Sequence, residues 1–142
     1  MKRTATVTWQ GAGKEGQGKV STQSKALDNA NFAYDTRFED AKGTNPEELI
    51  AAAHASCFTM KLSFVLQEAG FTARDIKTSS TVSLENGKIT TSHIIVHAKV
   101  DGINSDQFDE LAEKTKAECP VSKALNLHIS MDANLVNAHI ET

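Results

Sequence analysis

The longest apolar stretch in the pattern of hydrophobic and polar positions covers residues 43–70 and predicts a long helix. Asn45 suits the N-cap, and Pro46 suits the first helical position because the N–H that proline lacks would have no intrahelical partner there. Gly70 suits the end of the helix. Apolar and small residues occur on all sides, without a wide polar face, so we expect a buried helix surrounded by protein.

Alternation of polar and apolar residues predicts strands on both sides of this helix. The predicted strands cover residues 4–9, 19–24, 32–38, 75–84, 88–100 and 127–133. The first of them is expected to be half-buried. Asn86-Gly87 predicts a tight hairpin turn between the fourth and fifth strands. Residues 105–118 have the pattern of an amphipathic helix whose buried stripe ends at Cys119, and residues 121–125 add one more turn after Pro120.

This order of elements indicates an α+β fold with antiparallel sheets. A length of 142 residues with 39% hydrophobic residues favours a single domain over residues 1–142. One sheet covers the long helix from one side only. We therefore expect the second helix and another copy of the chain to cover the rest.

Charge and composition exclude several classes of function. A net charge of −3 gives no reason to expect a nucleic acid or an anionic membrane as partner. Residues 1–9 lack the apolar core of a signal peptide, which favours a cytoplasmic location. His54, Lys61 and Glu68 interrupt the long apolar stretch, so a membrane span is not expected. In a reducing compartment, two cysteines favour free thiols or redox chemistry over a structural disulfide.

The two cysteines leave several interpretations open. Cys57, among alanines and phenylalanines, fits an inert core thiol as well as a redox residue. Cys119 precedes Pro120, where the start of a helical turn would favour a thiolate. His54 shares a helix face with Cys57, which suits either a Cys–His nucleophile pair or a packed histidine bonded to the backbone. No metal site is expected, because closely spaced cysteine pairs are missing.

The segments TRFEDAKGTNPEELIAAAHASCFTMKLSFVLQEAGF and AECPVSKAL, with the order of elements, resemble the OsmC/Ohr family of peroxide-reducing thiol enzymes. The osmotically inducible (OsmC) branch is more similar than the organic hydroperoxide resistance (Ohr) branch. The resemblance implies an OsmC-like fold, with sheets wrapped around central helices in an interlocked cytoplasmic homodimer. It also implies that Cys57 is the peroxidatic cysteine, Cys119 the resolving cysteine, and Arg37 and Glu47 their partners.

The implied activity is reduction of organic hydroperoxides, and more weakly of hydrogen peroxide. Cys57 would become a sulfenic acid, and Cys119 would condense with it to a disulfide. An external dithiol, of lipoyl type or on a lipoylated protein, would reduce the disulfide, and no bound cofactor is expected. Arg37 and Glu47 would form a bidentate pair beside the thiolate; a solvated ion pair is the alternative. The first hairpin, which supplies the arginine in the Ohr branch, has only Lys14 and Lys19 here.

Glu47 and Cys57 lie ten positions apart, a rise of about 15 Å on one straight helix. Either the helix breaks between them, or Glu47 of one chain serves Cys57 of another. The second option predicts an active site built across a homodimer. Two other functions stay open from the residues alone: a dimeric stress protein that binds an apolar ligand and has structural cysteines, and a hydrolase based on Cys57 and His54.

Overall fold

The computed structural model describes residues 1–137, so the tail of residues 138–142 lies outside the described residues. The chain divides into two compact units, Met1–Leu49 and the part from Ile50 onward. They are called the first unit and the second unit below. The single domain expected over residues 1–142 stays a prediction.

The first unit contains a three-stranded antiparallel sheet. Its strands are β1 (Ala5–Gln10), β2 (Gln17–Thr22) and β3 (Ala30–Phe32), in the order β1-β2-β3. Gly18 on β2 pairs with Phe32 on β3, and a Cβ atom at Gly18 would overlap the phenyl ring. The glycine therefore makes room for the ring in the sheet.

A short helix, α1 (Tyr34–Phe38), replaces most of the strand predicted over residues 32–38. The Thr36 hydroxyl accepts a hydrogen bond from the Ala33 N–H at 2.8 Å and donates one to the Ala33 carbonyl at 2.9 Å, which closes the first turn. The rings of Tyr34 and Phe38 pack one turn apart, with centroids separated by 4.8 Å. The strand prediction was therefore wrong beyond Phe32, and Arg37 lies on a helix.

The predicted long helix is present as α2 (Pro46–Glu68). Asn45 caps it as expected, because its side-chain oxygen accepts a hydrogen bond from the Glu48 N–H at 2.7 Å. Gly70 follows the helix with a φ of +94°, a conformation that favours glycine. The helix runs through the alanines without a break.

The second unit contains a sheet of order β4-β5-β6, with β4 (Ala73–Glu85), β5 (Lys88–Val100) and β6 (His128–Leu135). Asn86 and Gly87 both have positive φ and form the predicted hairpin turn between β4 and β5. β6 runs parallel to β5, so the prediction of purely antiparallel sheets was wrong.

The connection between β5 and β6 explains the parallel pairing. It contains α3 (Ser105–Glu118) and α4 (Pro120–Ala124), and a crossover of this length returns the chain to the starting end of the sheet. Asn104 caps α3 by accepting a hydrogen bond from the Gln107 N–H at 2.8 Å. The bounds of α3 agree with the prediction.

The core of the second unit lies where α2, β5 and α3 bury their apolar faces together. Its fully or almost fully buried members are Phe58, Leu62, Leu66, Ile94, Val96, Ala98, Val100, Ile103, Phe108 and Cys119. The buried stripe predicted for α3 is present, and it places the second cysteine in this core.

The face of α2 opposite this core is exposed to solvent in the single chain. Met60 is 65% exposed and Phe64 55%, and Ala52 and Ala53 are exposed as well. The expectation of a helix surrounded by protein therefore fails within one chain, because the sheet of the second unit covers only one side. β1 is likewise exposed along its whole length, with Val7 at 54%, so the half-buried strand expected there was wrong for the single chain.

Within the described residues, α2 is also the one helix long and apolar enough to cross a membrane by length and composition. A core helix of a globular protein satisfies the same criterion. The inner face of α2 packs against its own chain through Phe58, Leu62 and Leu66, which are completely buried.

Candidate active site

The structure brings the two cysteines together. Cys57 lies near the middle of α2, and Cys119 lies between α3 and α4, where Pro120 ends one helix and starts the next. Their sulfur atoms are 3.0 Å apart, and both are free thiols. Cys57 is half-buried and Cys119 is completely buried. A molecule from solvent can therefore reach Cys57 more easily than Cys119.

The surroundings of the two thiols shift their pKa values in opposite directions. Burial and the hydrogen bond with Cys119 raise the pKa of Cys57, and the backbone of Val121 and the Lys61 ammonium oppose this only in part. Burial would also raise the pKa of Cys119, but its hydrogen bond with Cys57 and those from the backbone and hydroxyl of Ser122 lower it. Within one chain, negative charge is therefore favoured on Cys119 over Cys57.

Arg37 and Glu47 form a bidentate pair in the first unit. The Arg37 Nε donates to Glu47 Oε1 at 2.9 Å, and Nη2 donates to Oε2 at 2.8 Å. The Glu47 side chain is 11% exposed and that of Arg37 is 37% exposed. The hydrogen bonds raise the pKa of the guanidinium and lower that of the carboxyl, so both groups stay charged. Among the described residues, Nη1 of Arg37 has no hydrogen-bond acceptor, so this nitrogen can donate to a further group.

Aromatic side chains surround the guanidinium. A cavity of about 160 Å³ lies beside it in the first unit, and its larger lining residues are Trp9, Phe32, Tyr34, Arg37 and Phe38. The Phe38 ring lies 5.3 Å from the guanidinium carbon, a cation–π distance. This cavity therefore offers an apolar wall next to a permanent positive charge.

His54 does not pair with Cys57. Its Nδ1 lies 2.7 Å from the Ser92 hydroxyl and its Nε2 lies 2.8 Å from the Ser122 hydroxyl, and the ring is completely buried. Both ring nitrogens are thus occupied, which removes the basis for a Cys57–His54 hydrolase. The structure agrees better with the alternative, a packed histidine. Its hydrogen-bond partners, however, are side-chain hydroxyls and not the backbone.

The four predicted site residues thus form two pairs, Arg37 with Glu47 and Cys57 with Cys119. Their catalytic roles stay predictions. Ser92 and Ser122 were missed, and Ser92 lies in no motif of recognisable spacing. The one available signal was Ser122 in the segment AECPVSKAL, three residues after Cys119, the distance from an N-cap to the third helical position.

The comparisons with known proteins agree with one another. The family described as OsmC-like protein matches residues 39–134. Peroxiredoxin OsmC of Escherichia coli K12 is 47% identical over 131 residues, covering 89% of this chain and 92% of its own. The organic hydroperoxide resistance protein OhrA of Bacillus subtilis is 29% identical over 131 residues, covering 90% and 92%.

Solved structures give the same result. The crystal structure of the organic hydroperoxide resistance protein OhrB of Bacillus subtilis superimposes with a TM-score of 0.69 at 27% identity, covering 94% of this chain and 98% of that one. The α+β fold with two sheets is therefore shared with this group of proteins. The chain belongs to the OsmC family, and it is an oxidoreductase of the peroxidase type.

Proposed function

We propose that this protein reduces organic hydroperoxides, and more weakly hydrogen peroxide, with Cys57 as the attacking thiol and Cys119 as the resolving thiol. The observation that carries the proposal is the geometry of the two sulfur atoms, 3.0 Å apart with only Cys57 open to solvent. The attacking sulfur must be reachable by substrate, and the resolving sulfur must be close to it.

The chemistry proceeds in two steps. The Cys57 thiolate attacks one oxygen of the peroxide, the O–O bond breaks, and an alcohol leaves after taking a proton. The product is a sulfenic acid on Cys57. Cys119 then attacks the Cys57 sulfur, the S–O bond breaks, and water leaves as the disulfide forms. The proximity of Cys119 favours this condensation over further oxidation of Cys57.

The aromatic cavity beside Arg37 supports an organic peroxide as the preferred substrate. Its walls suit an alkyl or aryl group, and Nη1 of Arg37 suits the peroxide oxygens. Hydrogen peroxide has no organic group to fill the cavity, so it would lose that part of the binding energy.

A homodimer would bring the Arg37 guanidinium of one chain to Cys57 of the other. Glu47 and Cys57 lie on one continuous helix. Ten residues of a straight helix rise about 15 Å, which would separate the carboxylate from the thiol of the same chain. The bidentate bond holds Arg37 with Glu47. The proposal is therefore that Arg37 and Glu47 of one chain serve Cys57 and Cys119 of another.

The exposed face of α2 fits this arrangement. Together with β4 it borders an open groove of about 710 Å³, whose lining includes Ala52, Ala55, Met60 and Ile76. Small residues permit close approach of a second helix, and burying a methionine or phenylalanine side chain contributes about 1.5–3 kcal/mol. A second copy of the chain is the occupant that also completes the site.

The catalytic cycle closes when a dithiol reduces the Cys57–Cys119 disulfide by exchange. A lipoyl group, free or on a lipoylated protein, is the proposed reductant, and no bound cofactor takes part. A dithiol is favoured over a monothiol because its second sulfur displaces the first from the mixed disulfide. Such a cycle needs a reducing compartment, and the cytoplasm is the proposed location.

A peroxide consumption assay tests the proposal. Purified protein should consume an alkyl hydroperoxide stoichiometrically with added dihydrolipoamide, faster than it consumes hydrogen peroxide at equal concentration. Without the dithiol, consumption should stop after one equivalent per site. No consumption of either peroxide would contradict the proposal and favour the alternative, an apolar-ligand-binding dimeric stress protein whose cysteines are structural.

Arg37→Lys is expected to slow oxidation of Cys57 by roughly tenfold or more, although it keeps the positive charge. Lysine cannot bond to Glu47 in a fork and to the peroxide at once, and a hydrogen bond to a charged group contributes about 1.5–3 kcal/mol. Stopped-flow measurement of thiol oxidation checks this, together with the pKa of Cys57 from thiolate absorbance.

Arg74→Lys is the matched control, because Arg74 and Asp101 form an exposed ion pair at 3.6 Å. It should leave the rate unchanged. An Arg37→Lys variant with the wild-type oxidation rate and an unchanged Cys57 pKa would contradict the assignment. Lys14, Lys19 and Arg3 would then be the next candidates for the cation that acts on Cys57.

A further inference from the structure

A continuous row of hydrogen-bonding groups leads from Cys119 through the core of the second unit. The Ser122 hydroxyl lies beside the Cys119 sulfur and 2.8 Å from His54 Nε2. On the other side of the ring, Nδ1 lies 2.7 Å from the Ser92 hydroxyl. That hydroxyl lies 2.8 Å from the hydroxyl of Ser80, which is half-buried and closer to solvent.

Each member of this row has one proton to donate. A serine hydroxyl carries one proton, and a neutral imidazole carries one N–H, on either nitrogen. Donation therefore runs in a single direction from Ser122 through His54 and Ser92 to Ser80, or in reverse. In the reduced protein the Cys119 thiol donates to the Cys57 sulfur. Once that sulfur is a sulfenic acid, the thiol can turn its proton to Ser122, Ser122 then donates to His54 Nε2, and Nδ1–H donates to Ser92. If Cys119 is a thiolate, every bond reverses and the N–H moves to Nε2.

We propose that His54, with Ser122, Ser92 and Ser80, relays the proton of Cys119 to solvent when Cys119 attacks the sulfenic acid. The row conducts a proton because each group accepts one on its Cys119 side and releases one on the other. The imidazole changes tautomer and never carries a net charge. This inference rests on the proposed function of Cys119 as the resolving cysteine.

The proton and electron balance of the step is complete. An electron pair of Cys119 forms the S–S bond, and the S–O bond of the Cys57 sulfenic acid breaks with its pair on the oxygen. The leaving hydroxide takes one proton from the open side of Cys57 and becomes water. The Cys119 proton leaves through the relay toward Ser80. When a dithiol later reduces the disulfide, the relay returns a proton to Cys119.

Burial supports a relay over a simple structural role. Cys119, His54 and Ser92 are completely buried, so water has no direct access to this thiol. Burial is also the cause that lowers the pKa of His54, which keeps the ring neutral. The groups that face its nitrogens, Ser92 of β5 and Ser122 of α4, are uncharged. The nearest titrating groups beyond them are the thiols of Cys119 and Cys57, and Cys57 also interacts with the Lys61 ammonium.

Ser92→Ala tests the relay without touching either cysteine. The protein is mixed with alkyl hydroperoxide, quenched at intervals and analysed by mass spectrometry for sulfenic acid and disulfide. Formation of the sulfenic acid should keep its wild-type rate. Its conversion to the disulfide should slow by roughly tenfold or more, because general acid–base catalysis contributes about 10²–10⁴-fold. Ser92→Thr, which keeps the hydroxyl, should restore the conversion.

Ser130→Ala is the matched control. Ser130 lies on β6, and its hydroxyl is 2.6 Å from His93 Nδ1, so the variant removes a similar serine–histidine bond outside the row. It should resolve at the wild-type rate. Wild-type resolution in Ser92→Ala, or resolution in Ser92→Thr as slow as in Ser92→Ala, would overturn the relay. Wild-type protein that forms no sulfenic acid would instead overturn the proposed function.

A second measurement needs no substitution. The ¹⁵N shifts of His54 in the reduced protein should show a neutral ring over the pH range in which Cys119 titrates, with the N–H on Nε2 once Cys119 is a thiolate. A ring that becomes charged in that range, or an Nδ1–H ring beside the thiolate, would also overturn the relay.

Discussion

Cys57→Ser is expected to abolish peroxide consumption, because the substitution removes the sulfur that attacks the O–O bond. Cys119→Ser should behave differently. It should consume one equivalent of peroxide and then stall or over-oxidise at Cys57, since no resolving thiol remains. Consumption of alkyl hydroperoxide with excess dithiol, and the mass of each protein afterwards, distinguish the two variants.

The unsubstituted protein supplies the control for this pair. Peroxide alone should lower its mass by two hydrogens as the disulfide forms, and added dithiol should reverse the change. A peroxide-treated wild type without that loss would contradict the resolving role of Cys119. Peroxide consumption by Cys57→Ser at the wild-type rate would mean that another group attacks the peroxide. Cys119 would be the first candidate, because its pKa is lowered.

Helices could be predicted from the sequence because their signals are local. The Asn45 cap, Pro46 and Gly70 specify where α2 lies, and the apolar stripe of residues 105–118 specifies α3. The local pattern over residues 32–38 predicted a strand, but most of this segment is helical. There the hydrogen bonds of Thr36 with Ala33 close a helical turn that alternation of residue types does not reveal.

Pairing between distant strands was not predictable in the same way. The Asn86-Gly87 turn identifies the β4–β5 hairpin, because a two-residue turn forces neighbouring antiparallel strands. No turn connects β5 with β6, and their direction depends on the crossover through α3 and α4. Burial of β1 was also misjudged, since residue alternation indicates which face is apolar but not whether the same chain covers it.

The candidate site was only partly predictable from the residues. Nothing in the spacing of Cys57 and Cys119 brings them together; their pairing followed from the resemblance to the OsmC/Ohr family, and the structure places the two sulfur atoms 3.0 Å apart. The serines around His54 gave no usable signal, because serine is common and hydrogen bonds across a core join residues far apart in the chain.

Mixed dimers of two inactive variants are expected to regain activity. Cys57→Ser keeps a complete Arg37–Glu47 pair, and Glu47→Ala keeps both cysteines. If the site is shared between chains, a heterodimer has one intact site, formed by the cysteines of one chain and the ion pair of the other. Unfolding the two variants together at equal amounts and refolding them should give about a quarter of the wild-type activity per chain, since half of the dimers are mixed and each has one of two sites.

Refolding Cys57→Ser together with Cys119→Ser is the matched control. Both cysteines of a site belong to one chain, so neither chain of this heterodimer contributes a complete pair, and turnover should not return. The bidentate bond within one chain implies that Arg37→Ala complements Cys57→Ser as well as Glu47→Ala does. If no refolded mixture exceeds its parents, the four groups act within one chain, and α2 must bend during catalysis to bring Glu47 toward Cys57, because ten residues of a straight helix span about 15 Å.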